Sequence, residues 1–173
     1  MHTHAHRQTG TCIHNTHAHR YGYLLSKGAT TLVEFWSASP SVSWNHAMLG
    51  HIDAWFFEHI GGLQTATRSG PVVLSPGLSG QVDWSELRRA LPSGPLTMRW
   101  ERNPSNGSLK VVVGVPPGAD VRLRLSDTHP TAVSVDGQPV ATAMHVRLLV
   151  QRQASGVVEL VLAPGSHMVT VTE

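Results

Sequence analysis

Cysteine is nearly absent. Cys12 is the only one, so no disulfide can form within the chain and no redox compartment is legible from it. Charge is scarce as well: Asp, Glu, Lys and Arg make up 14% of the residues and leave a formal net charge of +2. No Lys/Arg block is present, which argues against a nucleic-acid partner. No apolar run approaches the length of a membrane span, so no membrane partner is expected. The polar N-terminus lacks the apolar core of a secretion signal. Neither observation assigns a compartment, and localisation stays unknown. Acid is scarcest at the front, where Glu34 is the only Asp or Glu among the first 52 positions. What the chain does have is apolar residues, at 40%. That is enough for a packed core and far from the composition of disorder. A length of 173 residues accommodates one medium domain plus a remnant of another.

Residues 1–20 hold six of the twelve histidines, and Thr-His-Ala-His-Arg occurs twice, at 3–7 and 16–20. His2, His4 and His6 alternate, so an extended chain would put them on one side. Such a tract can bind Zn²⁺, Ni²⁺ or Cu²⁺. A structural metal site also needs a packed surrounding shell, and this tract has only Met1 and Ile13 as large apolar residues to build one. Residues 1–20 therefore read as a disordered leader with no assigned metal site, and Cys12 as an incidental thiol.

Tyr21 to Leu25 can begin a helix or a buried extended piece, and Gly28 ends it. Thr30-Thr31-Leu32-Val33-Glu34-Phe35-Trp36 is β-branched and aromatic, so propensity predicts a strand. Residues 37–42 form a short polar loop. From 43 to 60 the large apolar residues Met48, Leu49, Ile52, Trp55, Phe56 and Ile60 recur at the period of a helix. Ser43 or Asn45 is placed to cap it, and Gly61-Gly62 stops it. Trp55, Phe56 and Phe57 are expected in packing, and His51 and His59 on the solvated side. The aromatic load demands a large apolar partner surface, and only about 40 residues precede it. The helix reads as the last piece of a larger helical body. Left uncovered, its stripe would promote self-association.

Residues 64–71 read as a linker, and beyond it the period is two. Val72 to Leu74 is a short strand. Trp84 to Leu91 has helical propensity, before Pro92-Ser93-Gly94-Pro95 turns the chain into an alternating run from Leu96 to Arg102. Asn106-Gly107 has the chemistry of a two-residue hairpin turn, leading into Leu109 to Val115. Pro116-Pro117-Gly118 turns again into Val121-Arg122-Leu123-Arg124-Leu125. Asp136-Gly137 marks another hairpin within Val133 to Val140. Val146 to Val150, Val157 to Leu162 and Met168 to Val171 complete the set. Regular short strands with turn signals predict an antiparallel β-sandwich. Asp120, Asp127 and Asp136 sit near turns, where aspartate is expected structurally.

Two segments resemble the end of the catalytic domain of α-L-rhamnosidases, a family of inverting glycoside hydrolases. Tyr21 to Trp36 is similar to the family's Gly-Tyr…Gly-Ala-Thr-Thr-Leu-Trp-Glu…Trp motif, with Val33 in place of the usual tryptophan. Ser43-Trp44-Asn45-His46 through Gly50 is similar to its Ser-x-Asn-His-x-x-x-Gly motif. After the helix, the chain resembles the family's C-terminal β-sandwich. The resemblance implies a mainly β fold in which residues 21–63 are the C-terminal fragment of an (α/α)6 glycosidase domain, 64–71 the linker and 72–173 the sandwich. It also favours a strand pair across Pro92 to Pro95, against local propensity.

The resemblance implies Glu34 as the general base, His46 as a sugar contact, and Trp36 and Trp44 as surfaces on which a sugar could stack. Rhamnosides or other carbohydrates are then the partners, with no cofactor. Inversion needs a second carboxylate about 6.5–9.5 Å from the base, and this chain offers no candidate for that general acid. The expected role is a C-terminal fragment of a rhamnoside hydrolase, inactive alone. Two other readings stand beside it: a non-catalytic sandwich with a structural or carbohydrate-binding role, and a metal-binding leader on a truncated product.

Overall fold

Val121, Leu123 and Leu125 are fully buried, while Arg124 between them is exposed. That period of two is what a strand with one covered face requires, and it recurs through the second half of the chain. The computed structural model describes residues 18–34, 41, 43–64, 70–78, 82–126, 128, 131–143, 146–152 and 156–172. Eleven strands fall among them: β1 (Leu63–Gln64), β2 (Val72–Leu74), β3 (Trp84–Leu91), β4 (Gly94–Arg102), β5 (Leu109–Val115), β6 (Val121–Leu125), β7 (Ala132–Val135), β8 (Gln138–Pro139), β9 (Val146–Arg152), β10 (Val157–Leu162) and β11 (Gly165–Thr172).

One sheet runs β1-β2-β6-β10-β9, the other β3-β4-β5-β11-β7-β8. Pairing is antiparallel throughout except for β2 beside β6, which is parallel. Leu74, Leu123, Leu125, Leu160 and Leu162 from one sheet join Leu87, Leu96, Met98, Trp100, Val111 and Val171 from the other in a single core. The fold is the mainly β sandwich that the alternation predicts.

Trp84–Leu91 is a strand, against its helical propensity. It pairs residue for residue with β4, from Trp84↔Glu101 to Leu91↔Gly94, and buries Ser85 and Leu87. A full ladder and a covered face outweigh a preference of a few tenths of a kcal/mol per residue. Asp136-Gly137 makes a two-residue hairpin turn with φ of 52° and 78°, the pair of positive values that a type I′ turn needs. Asn106-Gly107 does not. It belongs to a six-residue connection in which Asn103 Oδ1 accepts the Ser105 amide and Asn106 Oδ1 accepts the Ser108 amide. Local side-chain bonds win there over the tighter turn. The turn at Pro116 carries the chain from one sheet to the other. Gln64, assigned to the linker, already pairs with Val73.

The first half is helical and irregular. Helix α1 (Ala18–Ser26) ends in a Schellman motif. The Ala29 amide donates to the Leu24 carbonyl and the Gly28 amide to that of Leu25, with Gly28 at φ +74°. The strand expected at 30–36 is absent at 30–34. Single bonds from the Glu34 amide to Ser43 and from the His46 amide to Leu32 hold this stretch, and the facing residues 44–45 bend. β-propensity without a continuous ladder makes no strand.

The helix expected from 43 begins at Ala47 and changes type along its length. Ala47–His51 is 3₁₀, α2 (Ile52–Trp55) is α, and Phe56–Ile60 is π. Its far end is keyed to the sandwich. Phe57 packs against the core, and the Trp100 indole N–H donates to the Ile60 carbonyl at 3.3 Å. Trp55 and Phe56, expected in packing, remain 46% and 36% exposed. The periodicity marks an apolar face correctly, but the described residues do not cover it.

Candidate functional site

Glu34 and His46 are twelve positions apart in sequence and lie on two short segments clamped face to face. The Glu34 amide donates to the Ser43 carbonyl at 2.8 Å, and the His46 amide to the Leu32 carbonyl at 2.8 Å. The Thr31 hydroxyl donates to the Trp44 carbonyl between them. Val33, next to Glu34, is fully buried. Leu32 lies against the helix at Gly50, where an added Cβ would stand 3.3 Å from Leu32 Cδ1. The pieces of the clamp thus rest on the start of the composite helix.

The Glu34 side chain is partly buried, and its Oε2 accepts the Ser43 amide at 3.3 Å. Ser43 therefore meets Glu34 twice, by its carbonyl and by its N–H. That arrangement gives the Glu34 side chain a main-chain donor that orients it. The sequence offered Ser43 only as a helix cap. Its hydroxyl instead accepts the Asn45 amide at 3.4 Å. A backbone partner of this kind leaves no signal in residue type, so only its place in the Ser-x-Asn-His motif could have marked it.

His46 is partly buried, and Trp44 beside it is 39% exposed. Trp36 lies outside the described residues, as do Cys12 and the leader histidines up to His17, while Ala18 to Arg20 of the expected leader belong to α1. Among the described residues, no group of three or more His, Cys, Asp or Glu is placed to hold a metal ion. Tyr21 on α1 has its phenol raised above the ordinary value of 10.0, first by burial and then by the negative charge of Asp53.

The chain matches two family models in succession. Residues 2–60 match the bacterial alpha-L-rhamnosidase 6 hairpin glycosidase domain, and residues 70–139 the bacterial alpha-L-rhamnosidase C-terminal domain. An alpha-L-rhamnosidase of Streptomyces avermitilis is 26% identical over 162 residues, which is 87% of this chain and 14% of that protein. The crystal structure of a Streptomyces avermitilis alpha-L-rhamnosidase complexed with L-rhamnose aligns at TM-score 0.69 and 26% identity, over 88% of this chain and 15% of its own. The alpha-L-rhamnosidase of Dictyoglumus thermophilum aligns at TM-score 0.72 and 21% identity, over 88% of this chain and 17% of its own, a likeness of fold. The chain thus spans about one seventh of the length of the curated relative it matches. Two models of one family, in succession and together covering about three quarters of the sequence, make this chain a member of the bacterial α-L-rhamnosidase family, corresponding to its C-terminal region.

Proposed function

We propose that Glu34 is the general base, and His46 a sugar contact, of a site that hydrolyses terminal α-L-rhamnosides with inversion. We further propose that the 173-residue chain assayed by itself is inactive. The observation that carries this is the double contact between Glu34 and Ser43, with His46 anchored on the same clamp. A carboxylate held in one direction suits a base that must activate a water aimed at the anomeric carbon, and a neutral imidazole can donate to or accept from sugar hydroxyls. Trp44, exposed next to His46, suits stacking against the apolar face of a sugar. The general acid has to come from elsewhere in the six-hairpin domain.

The test joins this chain to the preceding part of a rhamnosidase six-hairpin domain and follows release of a chromophore from an aryl α-L-rhamnoside. Turnover by the joined protein, lost by a factor of about 10² or more in Glu34→Gln, is expected, with none from the chain alone. Full turnover in Glu34→Gln would remove Glu34 from the role. A second reading, that the sandwich serves as a structural or carbohydrate-binding module, draws on its self-contained core. Saturable binding of L-rhamnose to the chain that survives Glu34→Gln would favour it.

A further inference from the structure

We propose that the β-sandwich positions the Glu34–His46 clamp, acting on it through the composite helix, with Trp100 and Gly77 as the positioning residues. This rests on the proposed function for what the clamp does, but not for how the clamp is held.

The helix connects the two places directly. It runs from Ala47 to Ile60 without a break, and His46 is the residue immediately before it. Among the described residues, none from Ile52 to Ile60 is fully buried, so packing along the shaft leaves its rotation open. The close contacts gather at the two ends. At the start, Gly50 lies against Leu32, where an added Cβ would stand 3.3 Å from Leu32 Cδ1. The carbonyl of the same Leu32 accepts the His46 amide at 2.8 Å. Glu34, two positions further on, is bonded to Ser43 through both its amide and its carboxylate. Turning the helix start therefore disturbs both segments of the clamp.

The far end is held in an uncommon form. The Gly61 amide donates to the Phe56 carbonyl, five residues back, at 2.7 Å, so Phe56–Ile60 holds one residue more than an α turn would. Sandwich groups meet its last two carbonyls. The Trp100 indole N–H donates to that of Ile60 at 3.3 Å, and Gly77 fits against that of His59 with no room for a Cβ. Just beyond, the Ser75 amide donates to the Gly62 carbonyl at 2.6 Å. Gly62, at φ +74°, backs onto Ser75 and Pro76 where no Cβ fits either. Phe57 packs on the core beside them. With the end fixed in this way, relaxing the wide turn to α would shift the shaft by one residue, a rotation of about 100° and a slide of about 1.5 Å. Those are two discrete arrangements, the kind of element through which one site biases another. By holding the wide turn, the sandwich selects one rotation of the helix, and with it one placement of His46 and of the Leu32–Glu34 segment.

The test follows hydrogen exchange residue by residue in the 173-residue chain and three variants. Trp100→Phe removes the donor to Ile60, and Gly77→Ala pushes on the His59 carbonyl. His167→Leu weakens the sandwich through different partners, Asp136 and Ala163. Exchange of the Glu34 and His46 amides is expected to rise several-fold in Trp100→Phe and Gly77→Ala and to stay at the parent rate in His167→Leu. A mere loss of sandwich stability would move the core amides of β6 in all three variants without singling out the clamp. In the joined protein, Trp100→Phe and Gly77→Ala should lower kcat several-fold, and His167→Leu should leave it unchanged. Clamp amides at the parent rate in both joint variants overturn the proposal, and so does an equal rise in His167→Leu. Clamp amides that respond as expected, in a joined protein that does not turn over rhamnosides, leave the positioning in place and remove the proposed function.

Discussion

The indole N–H of Trp100, a residue only 1% exposed on β4, donates to the main-chain carbonyl of Ile60 at the end of the composite helix. One side chain thus belongs at once to the sandwich core and to the joint with the helical part. Its ring fills the core beside Leu87 and Val111, while its N–H satisfies a carbonyl that a helix end would otherwise leave without a partner.

Replacing Trp100 separates these two jobs. Trp100→Phe keeps most of the apolar area and removes the donor, so a loss of about 1–2 kcal/mol is expected. Trp100→Ala removes the ring as well and should cost about 3–5 kcal/mol. Urea unfolding of both variants measures the totals. Hydrogen exchange localises the effect: amides of residues 56–61 should open more readily in Trp100→Phe than those of β11. Equal changes in both regions would mean that the bond to Ile60 is not what joins the two parts.

His167 makes a comparable joint within the sandwich. Its ring is almost wholly buried, with Nδ1 3.1 Å from Asp136 Oδ2 and Nε2 2.8 Å from the Ala163 carbonyl. It thereby ties β11 to the β7–β8 turn and to the connection after β10. Asp136 also accepts the Met168 amide at 2.7 Å through Oδ1, which helps hold its positive φ. His167→Leu keeps bulk in the site but removes both polar contacts. A loss of roughly 1–3 kcal/mol is expected, with the β7–β8 hairpin showing the largest rise in hydrogen exchange. A neutral outcome in urea titration would mean that the two polar contacts of the ring add no net stability.

Gly77, in the loop after β2, lies against the end of the helix. An added Cβ there would collide with the His59 carbonyl, a main-chain atom that cannot rotate away. Gly77→Ala is expected to cost about 1–3 kcal/mol, because either the loop or the π turn has to move. It should also loosen the Phe57 contact. Thermal unfolding measures the loss, and a melting point within a degree of the parent would show that the helix end yields at little cost.

Much of the fold was legible because a sandwich is written in alternation. Val121 to Leu125 and Val157 to Leu162 bury every second residue, so their covered faces can be counted from sequence. Asp136-Gly137 could be read because a type I′ turn accepts few residue pairs. Trp84 to Leu91 could not be read locally, since its structure comes from β4 beside it. The period from 43 marks the apolar face of the helix, although the helix itself begins at Ala47. Periodicity reports that a face is apolar, not whether anything within the chain covers it. At the candidate site, residue type picked out Glu34 and His46 only through a family motif. The contact that orients Glu34 comes from the backbone of Ser43, and main-chain geometry has no letter of its own in a sequence.

Tyr21 on α1 feels the charge of Asp53 on the composite helix. Burial first, and the negative charge of Asp53 second, hold its phenol above the ordinary 10.0. Both causes disfavour the phenolate, so in the folded state Tyr21 keeps its proton to higher pH than in the unfolded chain. The sign for stability follows. Below the ordinary tyrosine value both states are protonated and the contribution is fully present. As pH climbs past that value the unfolded state ionises first, and stability is lost up to the folded value. Asp53→Asn removes the smaller cause, so the Tyr21 midpoint should move down but stay above the ordinary value, and the alkaline loss of stability should lessen. The sequence contains two tyrosines, so phenolate absorbance in a Tyr23→Phe background reports Tyr21 alone. A midpoint unmoved by Asp53→Asn would place Asp53 too far from Tyr21 to act on it.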